Sequence, residues 1–369
     1  MTDAPETLLT TPLDALHREL GGKMVPFAGY AMPVQYPAGI LTEHLHTRTQ
    51  AGLFDVSHMG QVEITGDDPA AALEALVPGD IKGLAEGRTR YSVFTNDAGG
   101  ILDDLMISKM GPKRLFLVVN AACKHADFAH LQAGMKGCEV RWIDRALIAL
   151  QGPGAAKAMA QVCPDALAMG FMSIRELTIA GFACLATRSG YTGEDGWEIS
   201  VATDHAEALV RRLLALDGVA PVGLGARDSL RLEAGLCLYG SDIDTNTTPV
   251  EAGLTWIIGK RRRTDGGFPG AAVVQKQLAE GPARLRVGIR PAGRAPARAH
   301  TEITDDAGNR VGEVTSGGFG PSVDGPVAMG YVPAAMAKDG TPVKLVVRGK
   351  PMDASVAPMP FVPHRYFKG

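Results

Sequence analysis

The chain has 369 residues, 46% hydrophobic and 21% charged, with a formal net charge of −3 at pH 7. That length exceeds what one hydrophobic core usually fills, so two or three domains are expected, and the composition is that of a folded globular protein. The slight negative charge argues against general nucleic-acid binding, and no apolar run approaches a membrane span, the longest buried-looking pieces, such as 146–150, being strand-sized.

Five cysteines, an odd number with no C-x-x-C pair, suggest neither a disulfide framework nor a zinc knuckle, so reduced thiols are expected. The N-terminal stretch 1–20 is acidic and lacks both an Arg-rich amphipathic pattern and an apolar targeting core. A cytoplasmic location is expected, or the mitochondrial matrix if a transit peptide has been removed.

Residues 7–50 read as irregular, punctuated by Pro12, Pro26, Pro33 and Pro37, and end in a helix over 40–50. His44 and His46 stand two apart, which on a helix points them in different directions, so no metal site is expected there. Asp55, Ser57 and His58 follow within 52–60. Members of a hydrolytic triad meet in space and are seldom sequence neighbours, and the G-x-S-x-G elbow is absent, so a hydrolase is not indicated.

An internal repeat comes next. Segments 66–78 and 152–164 each run from a glycine through an alanine-rich helix to a proline, and each follows an apolar strand, 61–65 or 146–151. After each helix comes a hairpin: 91–95 and 101–108 in the first copy, 182–188 and 197–202 in the second. A helix follows both, 121–134 after an extra strand 114–120, and 204–216. The expected architecture is α+β, with two ferredoxin-like units, 52–144 and 145–265, on which segment 1–51 packs.

The stretch 223–240 predicts a helix over 226–234, with Leu232 and Leu236 on one buried side and Arg227 and Arg231 on another. Two guanidiniums one turn apart repel unless acids answer them, and Asp228 and Glu233 are the local candidates. From residue 266 the character changes: a helix over 269–280, an Arg- and Pro-rich connector 281–299, then short strands near 284–290, 310–315, 327–332, 343–348 and 352–357, with 316–325 as a glycine-rich loop. Regular short strands without intervening helices predict a separate C-terminal β domain over 281–369, after a first region 1–280.

Two acids interrupt an otherwise apolar strand at Asp103 and Asp104. Alternation puts them on opposite faces, so at least one meets an apolar surface, where it must be paired, protonated or poised at a cleft. Alternation does not say which. In the second hairpin Glu198 alternates against Trp197 and Ile199 and lies on the face with small neighbours, where a flat ligand can approach. The glycine-rich turn before it lacks both G-K-[ST] and G-x-G-x-x-G, so it supports no nucleotide site.

Five motifs occur together and in order: Asp-Val-Ser-His-Met at 55–59, Gly-Gly-Ile-Leu-Asp-Asp-Leu at 99–105, Gly-Tyr-Thr-Gly-Glu-Asp-Gly at 190–196, Gly-Leu-Gly-Ala-Arg-Asp-Ser-Leu-Arg-Leu-Glu-Ala-Gly at 223–235, and Met-Pro-Phe-Val-Pro at 359–363. Together they closely resemble the aminomethyltransferase (T-protein) family of the glycine cleavage system, over about 8–366. The resemblance implies tandem ferredoxin-like folate-binding units around a central cavity plus a C-terminal β-barrel. It implies transfer of the aminomethyl carbon from the dihydrolipoyl arm of the lipoylated H protein to tetrahydrofolate, with release of ammonia and no metal. The other glycine cleavage components are further possible partners; a folate-dependent demethylase or a non-catalytic folate-binding protein on the same scaffold are the competing readings.

Carried over by motif, Asp103 matches the functional aspartate and Glu198, Arg227 and Tyr366 match folate-binding residues, while Met59, Tyr91, Asn120, Tyr191 and Tyr239 fall on segments lining the same pocket. The residue types suit that chemistry. A carboxylate can accept two hydrogen bonds from a pterin's donor edge, an arginine offers a complementary fork, and tyrosines offer flat apolar area. Asp103 would stabilise the cationic, iminium-like state through which ammonia leaves. The run Lys260, Arg261, Arg262 and Arg263 is a candidate docking patch for an acidic carrier.

Overall fold

The computed structural model describes residues 7–369, arranged as two sheets and a closed barrel. The first sheet has five strands in the order Arg88–Thr95, Ile101–Gly111, Arg114–Val119, Gly60–Gly66 and Cys138–Trp142. The second has six: Ile174–Ile179, Phe182–Thr187, Gly196–Ala202, Arg145–Gln151, Ala51–Asp55 and Val219–Pro221.

Laid side by side, these orders match strand for strand through the fourth position, so the repeat exists but sits one strand from where the sequence put it. Ile101–Gly111 corresponds to Phe182–Thr187, and Arg114–Val119, expected as an extra strand, corresponds to Gly196–Ala202. The missing partner is the edge strand Ile174–Ile179, whose Arg175, Glu176 and Thr178 are exposed and hide its alternation.

The first expected unit, 52–144, is also interrupted. Ala51–Asp55 pairs with Arg145–Gln151 in the second sheet, and Leu13 and Leu16 pack into that sheet's core. Residues 23–35, expected to be irregular, form a two-stranded ribbon, Lys23–Phe27 with Tyr30–Gln35. Both strands of this ribbon are edges, with alternate backbone N–H groups pointing away from the partner, so Pro26 and Pro33 are tolerated.

Each sheet buries one face under helices. Leu105, Ile107, Leu115 and Leu117 pack against Leu73 of Pro69–Glu74 and Leu131 of Lys124–Gly134. Ile148, Leu150, Trp197 and Ile199 pack against Met159 of Ala155–Val162 and Leu209 and Leu213 of Ala206–Leu214. The other faces turn toward each other, Met106, Phe116 and Val118 meeting Phe54, Leu147 and Ala149, and Ala226 and Leu230 of helix Leu224–Glu233 join this layer. That helix stops at Glu233, and Gly235 turns the chain away at φ 67°, so Leu236 lies beyond the helix and does not share a face with Leu232 as expected. Leu232 instead packs on Val327 and Met329 of the barrel.

The barrel closes in the order Arg284–Pro291, Gly325–Pro333, Arg310–Gly320, Glu302–Thr304, Pro342–Val347, Lys350–Ala357. Most of the stretch expected as a glycine-rich loop is strand. A Cβ on Gly317 would lie 2.2 Å from the Ala297 carbonyl oxygen, so glycine there permits a close crossing rather than a turn.

One buried side chain ties these parts together. Arg48, on helix Ile40–Thr49, donates to Glu194 (2.7 Å), Glu233 (3.0 Å) and the carbonyls of Thr192 (2.6 Å) and Leu230 (3.2 Å). Its Nε also reaches Ser322 in the barrel (3.2 Å), and Arg365 from the C-terminal segment shares Glu194 (2.6 Å). Glu194 and Glu233 are almost fully buried, so removing the cation leaves two carboxylates in a low-dielectric interior. Arg48→Ala is expected to lower unfolding free energy by about 3–5 kcal/mol in denaturant titrations; a loss below about 1 kcal/mol, the range of an exposed pair, would show that the network carries no such weight.

Candidate active site

The site lies between the sheets. Along Ile101–Gly111, Leu105 and Ile107 point to the helices and Met106 points to the second sheet. Asp103, with no exposed surface, therefore faces the helix layer, and Asp104, half-buried, faces the inter-sheet space. The strand thus separates the two acids, with Asp104 rather than the expected Asp103 on the side of the inter-sheet gap. Alternation separates the two acids, but only the packed helices decide which face is closed. Gly99 and Gly100 allow the approach to this strand: Gly99 has φ +81°, and a Cβ on Gly100 would stand 1.8 Å from the Thr245 carbonyl oxygen, closing off the segment that carries Cys237 and Tyr239.

Asn120 bridges the acids. Its backbone N–H donates to Asp103 Oδ2 (3.1 Å), and its side-chain Nδ2 donates to Asp103 Oδ1 (3.0 Å), Asp104 Oδ1 (2.8 Å) and the Asp104 carbonyl (3.1 Å). A third acid, Asp127, is buried against Asp103 from helix Lys124–Gly134. Burial raises all three carboxyls above the ordinary range. The charge of Asp103 adds to the effect on Asp104, which is pushed up to about 7 despite hydrogen bonds from Tyr91 and Asn120. Cys123 and Tyr239 adjoin the same group, and burial holds both high.

Across the gap stand Glu198 and Arg227. Glu198 accepts from Ser189 Oγ (3.1 Å), and burial raises its carboxyl while the Arg227 charge opposes the rise. Arg227 lies over the Tyr191 ring, 4.8 Å from its centre, and among the described residues its buried Nη1 has no hydrogen-bond partner. Among the described residues the two make no direct ion pair, so an acceptor and a donor face a common space with valences open. Tyr191 donates to the Cys237 carbonyl, and Tyr91, beside Asp104, stacks on the exposed Trp256 (5.7 Å, 21°). Met59 completes the apolar layer. Further along the same face of Gly196–Ala202 the gap widens into a groove of about 930 Å³ lined by Arg114, Arg145, Ser200 and Ala202.

Other expected residues lie apart from this cluster. Tyr366 stacks on Phe171 (4.0 Å, 7°), and its charged neighbours are Arg48 and Glu194 rather than Glu198 and Arg227. The run 260–263 does not form an open cationic patch. Arg262 is buried and donates to the Glu74 and Val77 carbonyls, Arg261 is paired with Glu74 and Asp80, and Arg263 donates to the carbonyls of Ile258 and Thr255. Only Lys260 is exposed without a protein partner among the described residues.

Arg227 and Arg231 part company as well. Arg231 is spent on Asp228, Asp242 (2.8 Å) and Ser316 (3.0 Å), while Glu233 answers Arg48. The Asp55–Ser57–His58 trio is structural: Asp55 accepts from Thr11 (2.6 Å) and meets His17 (2.8 Å), Ser57 bonds Leu147, and burial pushes His58 down to about 4. His44 meets Ser229 and Glu233. Ser189, Asp127 and Trp256 were missed; their motifs carry no signal, since each joins the site only through the fold.

Because Asp104 titrates higher folded than its ordinary 3.8, ionising it costs stability. That stability is fully present below about pH 4 and is lost as pH rises through 7. Asp104→Asn is expected to be stabilising at pH 8, on the order of 2 kcal/mol, and close to neutral at pH 4. Equal thermal shifts at both pH values would contradict the assigned charge state.

Two packed sheets with an acid-lined gap, joined to a small barrel, define a two-part α+β protein whose site is shared between its repeats. Residues 13–262 match the GCVT N-terminal domain and residues 284–363 the glycine cleavage T-protein C-terminal barrel domain. The chain belongs to the glycine cleavage T-protein family. It is similar to the mitochondrial aminomethyltransferases of Flaveria trinervia (49% identity, covering 98% of this chain and 91% of that one) and Gallus gallus (47%, covering 100% and 96%). The crystal structure of the glycine cleavage system aminomethyltransferase T from Bartonella henselae superposes with a TM-score of 0.93 at 48% identity, covering 98% of this chain and 100% of that one.

Proposed function

We infer that this chain is an aminomethyltransferase of the glycine cleavage system. It moves the one-carbon unit of the aminomethyl group on the H protein's dihydrolipoyl arm to tetrahydrofolate, yielding 5,10-methylenetetrahydrofolate and ammonia. Beside the family membership, the observation that carries this reading is the open acceptor of Glu198 facing the unpartnered Nη1 of Arg227, with the Tyr191 ring against the guanidinium. A buried donor without a partner costs about 1–3 kcal/mol, so the pair is built for a ligand that supplies both halves. A pterin does: its nitrogen edge donates to the carboxylate and its oxygen accepts from the guanidinium.

Tetrahydrofolate supplies the nitrogen nucleophiles that receive the carbon. The protein's own contribution centres on Asp104. With its carboxyl near neutrality it can hold or release a proton at working pH, and as an anion it stabilises positive charge that develops as ammonia leaves. Asn120 keeps its oxygen oriented, and Tyr91 and Met59 give the gap apolar walls. No step calls on a metal. The lipoylated H protein is the carrier partner, and the enzyme works in the compartment that holds that carrier, the cytoplasm or the mitochondrial matrix; the plant and bird relatives are named mitochondrial.

The purified chain, supplied with aminomethylated H protein and tetrahydrofolate, is expected to release ammonia and methylenetetrahydrofolate in equal amounts. Asp104→Asn should lower kcat by roughly 100- to 1,000-fold with little change in folate affinity, whereas Glu198→Gln should weaken folate binding by about tenfold or more. Near-normal turnover in Asp104→Asn beside a dead Asp103→Asn would return the role to Asp103.

A further inference from the structure

The acid pair behind Asp104 has no part in the mechanism so far. Asp127 sits in the first turn of Lys124–Gly134, 3% exposed, and its Oδ2 has no N–H or O–H donor among the described residues. Its carboxyl meets that of Asp103, which is fully buried. The polar and titratable groups facing this pair are Asn120 from the end of the Arg114–Val119 strand, Cys123 from the turn before the helix, Tyr239 from the segment after helix Leu224–Glu233, and Asp104 on the same strand. Those facing Asp104 are Tyr91, Asn120, Asp103, Tyr191 and Cys237. None of these is a cation. Lys124, one turn before Asp127, is turned away to Tyr30 (2.6 Å) and the His58 carbonyl (2.9 Å).

Two buried carboxyls in contact without a cation cannot both be ionised, so one proton must lie between them. Its place follows from the donors: Asp103 receives two N–H bonds from Asn120 and so favours the anion, whereas Asp127 receives none. We propose that Asp127 is a positioning residue, a neutral carboxylic acid that donates its proton in a hydrogen bond to Asp103 and thereby fixes Asp103 as a buried anion directly behind Asp104. Asp103 in turn repels ionisation of Asp104 and holds that group in the range where it exchanges protons near neutral pH. The kinetic part of this inference rests on the reading of Asp104 as the reacting acid; the protonation of Asp127 does not.

Two measurements separate them. Infrared difference spectra of the full chain at neutral pH, wild type against Asp127→Asn, should show a protonated-carboxyl C=O stretch in the wild type that the variant lacks. Its absence would overturn the proposal whatever the enzyme's activity, while its presence in a chain that fails the transfer assay would count against the functional reading alone. In pH profiles of kcat/KM, Asp127→Asn retains a donor and should leave the limb governed by Asp104 in place. Asp127→Leu removes the donor, Asp103 then takes up a proton, and the limb should move down by roughly one pH unit or more; Asp103→Asn should move it the same way. An Asn variant that shifts as far as the Leu variant, or a limb that Asp103→Asn does not move, would overturn the proposal even if the Leu variant fails to fold.

Discussion

The buried guanidinium of Arg48 is the constraint on which the assembly depends. It belongs to an N-terminal helix, yet its partners come from the 189–196 turn, from helix Leu224–Glu233 and from the barrel's Ser322, and Arg365 adds the C-terminal segment through Glu194. Each is a polar group whose burial alone would be costly, so each is stable only where the others have arrived. The 190–196 motif is therefore two things in sequence: Glu194 serves this node and Asp195 clamps Arg188 (2.6 Å), while Tyr191, with Ser189 just ahead of the motif, turns toward the gap. A second node does the same for the barrel. Asp242 accepts from Arg231, Ser316 and Thr315, so the arginine one turn beyond Arg227 is consumed in anchoring, while the Arg227 Nη1 has no hydrogen-bond partner among the described residues.

The two sheets create an environment neither could supply alone. Their helix-covered faces are packed with apolar side chains around the buried Asp103 and Asp127, and their facing surfaces carry Asp104 on one side and Glu198 on the other. Because the repeat is offset by one strand from its apparent alignment, these acids do not occupy equivalent positions: Asp104 lies on the second strand of its sheet and Glu198 on the third. The internal symmetry has thus been put to unequal use, with one repeat holding a neutral-range acid and the other a carboxylate paired at a distance with a cation. Two acids in one gap with environments that push them differently can divide proton exchange from ligand binding.

Where the sequence was misread, the cause is physical. The edge strand Ile174–Ile179 is solvated on one face and short, so its signal is weak, and missing it displaced the repeat by one strand. The barrel's Gly317 read as part of a loop but serves a close backbone crossing within a long strand, a distinction that composition cannot make. Within the cationic run at 260–263, the carboxylates that answer Arg261, Glu74 and Asp80, lie nearly two hundred residues earlier and leave no mark on the local sequence.

By itself the amino-acid order determined most of the helices and the strongly alternating strands, the α+β class with a terminal β domain, the presence of two acids on opposite faces of one strand, and, through five ordered motifs, the family. These are properties of periodicity, turn chemistry and short-range spacing, which neighbouring residues settle among themselves. Tertiary structure alone decided which acid faces the gap, that Arg227 rather than Arg231 keeps an unanswered donor, and that Asp127 stands behind Asp103. Each of those outcomes depends on what covers a surface. Burial and pairing across distant segments, not the residue types, set whether a carboxyl or a guanidinium is spent on the fold or left for the ligand.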